Sequence, residues 1–155
     1  MQTLEALVVQ SPIFEGMAPE HLELIAGCGK NVRFASGEQL FREGEPADTF
    51  YLVRHGEVSI EIWVPSRGAV RIDTRAEGEV VGWSWLLPPY RWHFDARALD
   101  TVRALAFDGE CLRGKAEDDH ELGYALYSRF SKLLVDQIEL TRLRLLDVYG
   151  RLPAS

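Results

Sequence analysis

Between Glu79 and Ala98 the chain gathers residue types suited to holding a small molecule. Trp83, Trp85, Tyr90, Trp92 and Phe94 place three of the four tryptophans within about a dozen positions. Leu86-Leu87-Pro88-Pro89 completes a stiff apolar segment. Glu79, Ser84, Arg91, His93, Asp95 and Arg97 are interspersed with them. Apolar and aromatic walls with a few placed polar groups are what a ligand pocket requires. The same rings packed on one another would instead fill a core. Asp95 and Arg97 are two apart, so on a strand they share one face, with Phe94, Ala96 and Ala98 on the other. Paired with each other or with a neighbouring strand, they would form a rim ion pair.

Other chemistries find less support. His93 with Asp95 or His55 lacks a second nearby histidine, so no metal site is expected. Cys28 and Cys111 are far apart and form no zinc or redox motif. They read as two free, partly buried thiols in a reducing cytoplasm. The glutamates Glu43 and Glu45 fall in a turn, and Asp118 and Asp119 at a helix start, where acids are routine. No nucleophile elbow, phosphate loop or zinc-hydrolase motif is present, so no enzymatic activity and no cofactor are expected. The formal net charge of −7 disfavours free-standing nucleic-acid binding, which needs clustered Lys and Arg. There is no basic leader and no apolar run long enough to span a bilayer.

The elements that would position these residues follow from periodicity. The first 28 residues carry helical spacing: Leu4, Leu7 and Val8, then Leu22, Leu24, Ile25 and Cys28 after Pro19. From Lys30 to Phe107, short β-branched and aromatic runs alternate with turns at Gly37, Gly44, Gly56, Gly68 and Gly78. The eight runs are Lys30–Phe34, Gln39–Phe41, Thr49–Arg54, Glu57–Val64, Val70–Arg75, Val80–Gly82, Phe94–Leu99 and Thr101–Phe107. Such spacing predicts a rolled antiparallel sheet. After a short segment at Gly109–Lys115, apolar residues recur at threes and fours from His120 to Val148. A helix of that length is about 40 Å long and exceeds what one small roll can cover. A second copy of the same helix is the simplest partner.

Several blocks then resemble one family. Phe14-Glu15-Gly16-Met17, Gly37-Glu38-Gln39-Leu40-Phe41-Arg42-Glu43-Gly44, Phe50-Tyr51-Leu52-Val53, Gly56-Glu57-Val58 and Gly78-Glu79-Val80-Val81-Gly82 are similar, in order and spacing, to the cyclic-nucleotide-binding domains of catabolite-activator-like regulators and cAMP-dependent kinases. The resemblance implies one domain over 1–155: N-terminal helices over 1–29, an eight-stranded β-roll over 30–107 and C-terminal helices over 108–150. It also implies a regulatory, non-enzymatic role, dimerisation through about 120–148, and a ligand cassette whose candidate residues here are Glu79, Gly82, Trp83, Ser84, Arg91, Trp92 and Arg97.

Two departures stand out. The family places a glutamate for the ribose hydroxyl after the second cassette glycine, and here that position is Trp83. An indole has one N–H donor and no acceptor to replace a carboxylate. The family's phosphate-binding arginine falls on Trp92 when Ala96-Arg97-Ala98 is aligned, or on His93 when Gly82 is the anchor. Arg91 lies one or two residues away. A buried phosphate without its cation is strongly disfavoured. Three outcomes remain open: a pocket filled by its own tryptophans, a pocket remodelled for another ligand, or a cAMP or cGMP receptor that uses Arg91. Leu145-Leu146-Asp147-Val148-Tyr149-Gly150-Arg151-Leu152 resembles the hinge that precedes a helix-turn-helix in the family's transcription factors. No such motif follows it, so the expected partner of the long helix is a protein and not DNA. Arg129, Lys132, Arg142 and Arg144 are expected on a solvated helix face.

Overall fold

The computed structural model describes residues 3–150. Two short helices, α1 (Leu4–Val9) and α2 (Pro19–Ala26), precede eight strands. The strands are β1 (Gly29–Phe34), β2 (Gln39–Phe41), β3 (Thr49–His55), β4 (Val58–Val64), β5 (Gly68–Arg75), β6 (Val80–Val81), β7 (Asp95–Ala98) and β8 (Val102–Asp108). Helices α3 (Gly109–Asp118) and α4 (His120–Gly150) follow. Arg151 and Leu152 of the hinge-like sequence lie outside the described residues.

All eight expected strands form, each within two residues of its expected end. They make two four-stranded antiparallel sheets, ordered β1-β8-β3-β6 and β2-β7-β4-β5. Alternation gives each sheet an inner face. Val53, Val58, Ile60, Ala96, Ala98, Val102 and Ala104 meet inside the roll, together with Phe41, Trp92 and Phe94. The outer face of the first sheet carries Phe50, Leu52, Leu105 and Phe107, which α1, α2 and α4 cover with Val8, Ile25, Leu122, Leu126 and Phe130.

The helix ends follow from capping. Asp108 accepts the Cys111 amide at the start of α3. Asp119 accepts the amides of Glu121 and Leu122 at the start of α4. The segment after Asp108 is thus a full helix, longer than its sequence pattern implies. Glu117 and Asp118 close α3 instead of opening α4. From Glu139 to its end α4 is exposed. No helix among the described residues is long and apolar enough to cross a membrane.

One expectation is overturned. Cys28 and Cys111 are not free: they form a disulfide across a sequence separation of 83 residues. The roll returns β8 alongside β1, so Asp108 donates its amide to the Cys28 carbonyl at 2.8 Å and the next helix starts beside Cys28. Sequence distance hid this proximity.

Candidate ligand site

From Arg91 to Ala98 exposed or half-buried residues alternate with buried ones, as on a strand. Arg91, His93, Asp95 and Arg97 face outward; Trp92, Phe94, Ala96 and Ala98 face inward. The Trp92 amide donates to the Glu45 carbonyl, and its carbonyl accepts the Gly44 amide. These bonds fix the indole inside the roll, where it stacks on Phe41 at 3.7 Å and 10°. Trp92 is 3% exposed. Gly82, at φ +97°, lies directly beneath it: a Cβ there would meet the indole at 2.5 Å. The same turn thus requires glycine both for its backbone and for the close approach of the ring.

The aromatic cassette therefore divides among four environments. Trp85 leaves the roll and packs under α4 with Phe50 and Phe130. Trp92 and Phe94 fill the interior. Trp83 is half-buried at the mouth, with its ring against Phe94 at 5.6 Å. Tyr90 sits outside under the Arg113 guanidinium, 4.0 Å from the ring centre. Trp83 is accordingly a wall of the opening, and Trp92 is the residue that occupies the interior.

A small cleft of about 210 Å³ lies beside Phe41, Tyr51 and Trp92, and a groove of about 730 Å³ opens between the mouth and the second half of α4. Ile60, Ile72, Trp83, Phe94, Leu134 and Ile138 supply much of its apolar lining. Its polar end is Asp73, Arg75, Gln137 and Arg144. Buried Arg75 salt-bridges Asp73 and donates to Gln137 Oε1 at 2.9 Å. Arg144 reaches the other Asp73 oxygen at 3.1 Å. Burial pushes the Asp73 carboxyl up, but hydrogen bonds from Arg75, Arg144 and the Thr74 amide outweigh it and hold it below the usual range. Asp73 therefore stays ionised between two guanidinium groups, and with Arg142 the groove carries a net positive end. Arg142 and Arg144, expected on a solvated face, line this groove.

The other candidate residues lie elsewhere. Glu79 is exposed and accepts the Ala76 amide at 3.0 Å, capping a turn. Ser84 is buried, and its hydroxyl has no hydrogen-bond partner among the described residues. Arg91 is exposed and donates to the Gly44 carbonyl. His93 is exposed, and no group of three metal-ligating side chains occurs among the described residues. Arg97 faces away from the interior and salt-bridges Glu61 at 2.6 Å, while Asp95 accepts the Glu43 amide. Arg97 is thus a rim ion-pair residue and not a pocket wall. Asp73, Arg75, Gln137 and Arg144 were not apparent from sequence. One signal was available: Arg75 and Asp73 share a strand parity, opposite to Thr74. The Arg91–Ala98 alternation likewise could have placed Trp92 inward and Arg91 outward.

Glu61 is 3% exposed and also accepts from Ser59. The Arg97 hydrogen bond, with the Ser59 bond and the nearby guanidinium charges, holds its carboxyl below the usual range despite burial. A lowered folded-state value means stability that is present at neutral pH and lost as pH falls below the ordinary carboxylate range. Arg97→Ala should cost about 2 kcal/mol at pH 7, less than the ~3–5 of a fully buried pair because Arg97 is 37% exposed. Urea denaturation at pH 7 and pH 3 checks this. The difference between variant and wild type should shrink at pH 3, and a pH-independent difference would refute the ion-pair account.

Two antiparallel sheets rolled around a packed interior, with a long C-terminal helix alongside the mouth, define a β-roll domain. The chain belongs to the cyclic nucleotide-binding domain family, whose model matches residues 31–119. It is 24% identical over 123 residues to the CRP-like cAMP-activated global transcriptional regulator of Mycobacterium tuberculosis, an alignment covering 79% of this chain and 55% of that one. The chain thus spans about half the length of that curated relative. A cyclic nucleotide-binding domain from Methylobacillus flagellatus superposes with a TM-score of 0.79 at 18% identity, over 98% of this chain and 84% of the other. The sensor domain of the transcriptional regulator DNR from Pseudomonas aeruginosa gives 0.70 at 22%, over 87% and 91%. At these identities the two structures show the shared fold alone.

Proposed function

We propose that this chain is a non-enzymatic regulatory module whose ligand occupies the groove beneath α4 and not the roll interior. One observation carries the reading: Trp92 lies over Gly82 and stacks on Phe41, filling the space inside the roll. The resemblance puts the phosphate-binding arginine on this position when Ala96-Arg97-Ala98 is aligned, and on the exposed His93 when Gly82 is the anchor. A cyclic phosphate inside the roll would meet an indole and no cation. Arg91 does not substitute, because it points outward and is engaged by Gly44.

The ligand class follows from the groove. Its apolar lining suits a planar or aliphatic body, with Trp83 as a stacking face. Its positive end suits a carboxylate or a similar monoanion. A ligand that bridges Trp83 on the roll and Arg144 on α4 ties the two together, and it shifts the position of α4 by binding one arrangement better than the other. Two copies joined through α4 would carry that shift to a partner protein in the cytoplasm.

Calorimetric titration tests this with cAMP, cGMP and the aromatic acid indole-3-acetate as probes. Expected is no heat with either nucleotide at millimolar concentration, and binding of the acid that Arg144→Ala weakens at least about tenfold. Micromolar nucleotide binding abolished by Arg91→Ala would overturn the reading in favour of a conventional receptor. Binding of neither class would favour a ligand-free interaction module.

A further inference from the structure

We propose that the Cys28–Cys111 disulfide is a reversible redox modification site that latches the first turn of α3 to the roll. Cys28 closes the α2–β1 corner and Cys111 lies in the first turn of α3. The bridge is reachable. Cys28 is 7% exposed and Cys111 is half-buried, and both form the wall of a cleft of about 400 Å³ with Lys30, Asp48 and Glu110. The cleft opens at the end of the β1–β8 pair, where Lys30 and Ala106 share the face of Val32 and Ala104.

The polar contacts that join α2 to the α3 end are few. Lys115 donates to the Leu24 carbonyl at 2.9 Å, and His21 lies 3.4 Å from Asp119. One residue, Asp119, separates α3 from α4, and its side chain caps α4. Removing the covalent bond leaves the Lys115 hydrogen bond, the His21–Asp119 contact, Leu112 buried in the core shared with Ile25 and Ala26, and Arg113 on the Trp85 carbonyl, so reduction loosens the first turn of α3 and does not release the helix. The Lys115 and His21 contacts are weak on their own. The chain has no third cysteine, so the opened pair can only re-form itself or react with an outside thiol.

The reductant is a dithiol. Its thiolate attacks the more exposed Cys111 Sγ, the S–S bond breaks, and Cys28 leaves as thiolate and takes a proton. The second thiol of the reductant then attacks its own sulfur in the mixed disulfide. That releases Cys111, which is protonated, and the reductant departs as a disulfide. Two electrons and two protons enter the chain. The consequence for signalling rests on the proposed reading of α4 as the output element.

Native-state hydrogen exchange of the full chain tests the latch without any ligand. The oxidised protein is treated with dithiothreitol at neutral pH, and thiols are counted by maleimide mass shift without denaturant. Expected are two labelled cysteines and amide exchange over the first turn of α3 raised about tenfold or more, with β3 and β8 still protected. Cys111→Ser should show the raised exchange with or without reductant. Free thiols in the air-oxidised protein, a bridge reduced only on global unfolding, or unchanged exchange after reduction would each overturn the proposal. Indole-3-acetate titration of the oxidised form is read separately. Its failure counts against the groove reading and leaves the exchange result intact.

Discussion

Trp92→Ala is expected to lower the unfolding free energy by about 3–5 kcal/mol, in the range of large-to-small changes at fully buried aromatic positions. The residue is 3% exposed, and its ring touches Phe41 and Gly82 and lies near Phe94. Truncation removes the transfer free energy of an indole and leaves a cavity. The walls are poorly placed to collapse into it, because Gly82 is backbone and Phe41 is fixed on β2. Chemical denaturation followed by fluorescence measures the loss. Trp92→Phe should recover about half of it, since it keeps a stacking ring. Free indole at millimolar concentration should raise the Tm of Trp92→Ala and leave wild type unchanged. Trp92→Ala should still not bind cAMP, because it clears space but adds no cation for the phosphate. A loss under about 1 kcal/mol would mean that the interior is not packed around Trp92.

The fold was legible because its signals are local and mutually consistent. Glycine-bounded runs such as Val58–Val64 alternate in residue type, and all eight strands appear where their patterns lie, although in β4 Ser59 and Glu61 are buried and Ile62 is exposed. The site was less legible because it depends on contacts between distant segments. Asp73 and Arg75 read as unremarkable strand charges until α4 brings Gln137 and Arg144 against them. Arg97 belongs beside Glu61, 36 residues away, a pairing fixed by the register of β4 against β7. Trp83 drew attention because it replaces a glutamate, yet the inward position of Trp92 decides what fits inside. That position was written in the alternation from Arg91 onward. The disulfide had no local sequence signal, since only the closure of β8 onto β1 brings Cys111 to Cys28.

Val135→Glu combined with Leu146→Glu should convert the proposed dimer to a monomer without unfolding the chain. Val135, Ile138, Arg142, Leu146 and Tyr149 recur at spacings of three and four along α4. Val135 is 51% and Leu146 66% exposed, with Ile138 and Tyr149 equally open. Neither Val135 nor Leu146 lines the groove under α4, although Ile138 and Arg142 of the same stripe do, so the seam runs along the edge of the groove. Pairing this stripe with its copy would bury apolar area that the roll does not cover. Two substitutions per chain place four carboxylates in a symmetric interface. At about 1 kcal/mol or more each, the penalty is about 4 kcal/mol or more, roughly a thousandfold in Kd. Light scattering at micromolar concentration should then report about 17.5 kDa for the variant and twice that mass for wild type. Urea unfolding of the monomeric variant separates loss of association from loss of fold, because side chains this exposed contribute within about 0.5 kcal/mol to a single chain. A monomeric wild type would remove the dimer from the proposed mechanism, and α4 would then have to present its apolar stripe directly to a different protein.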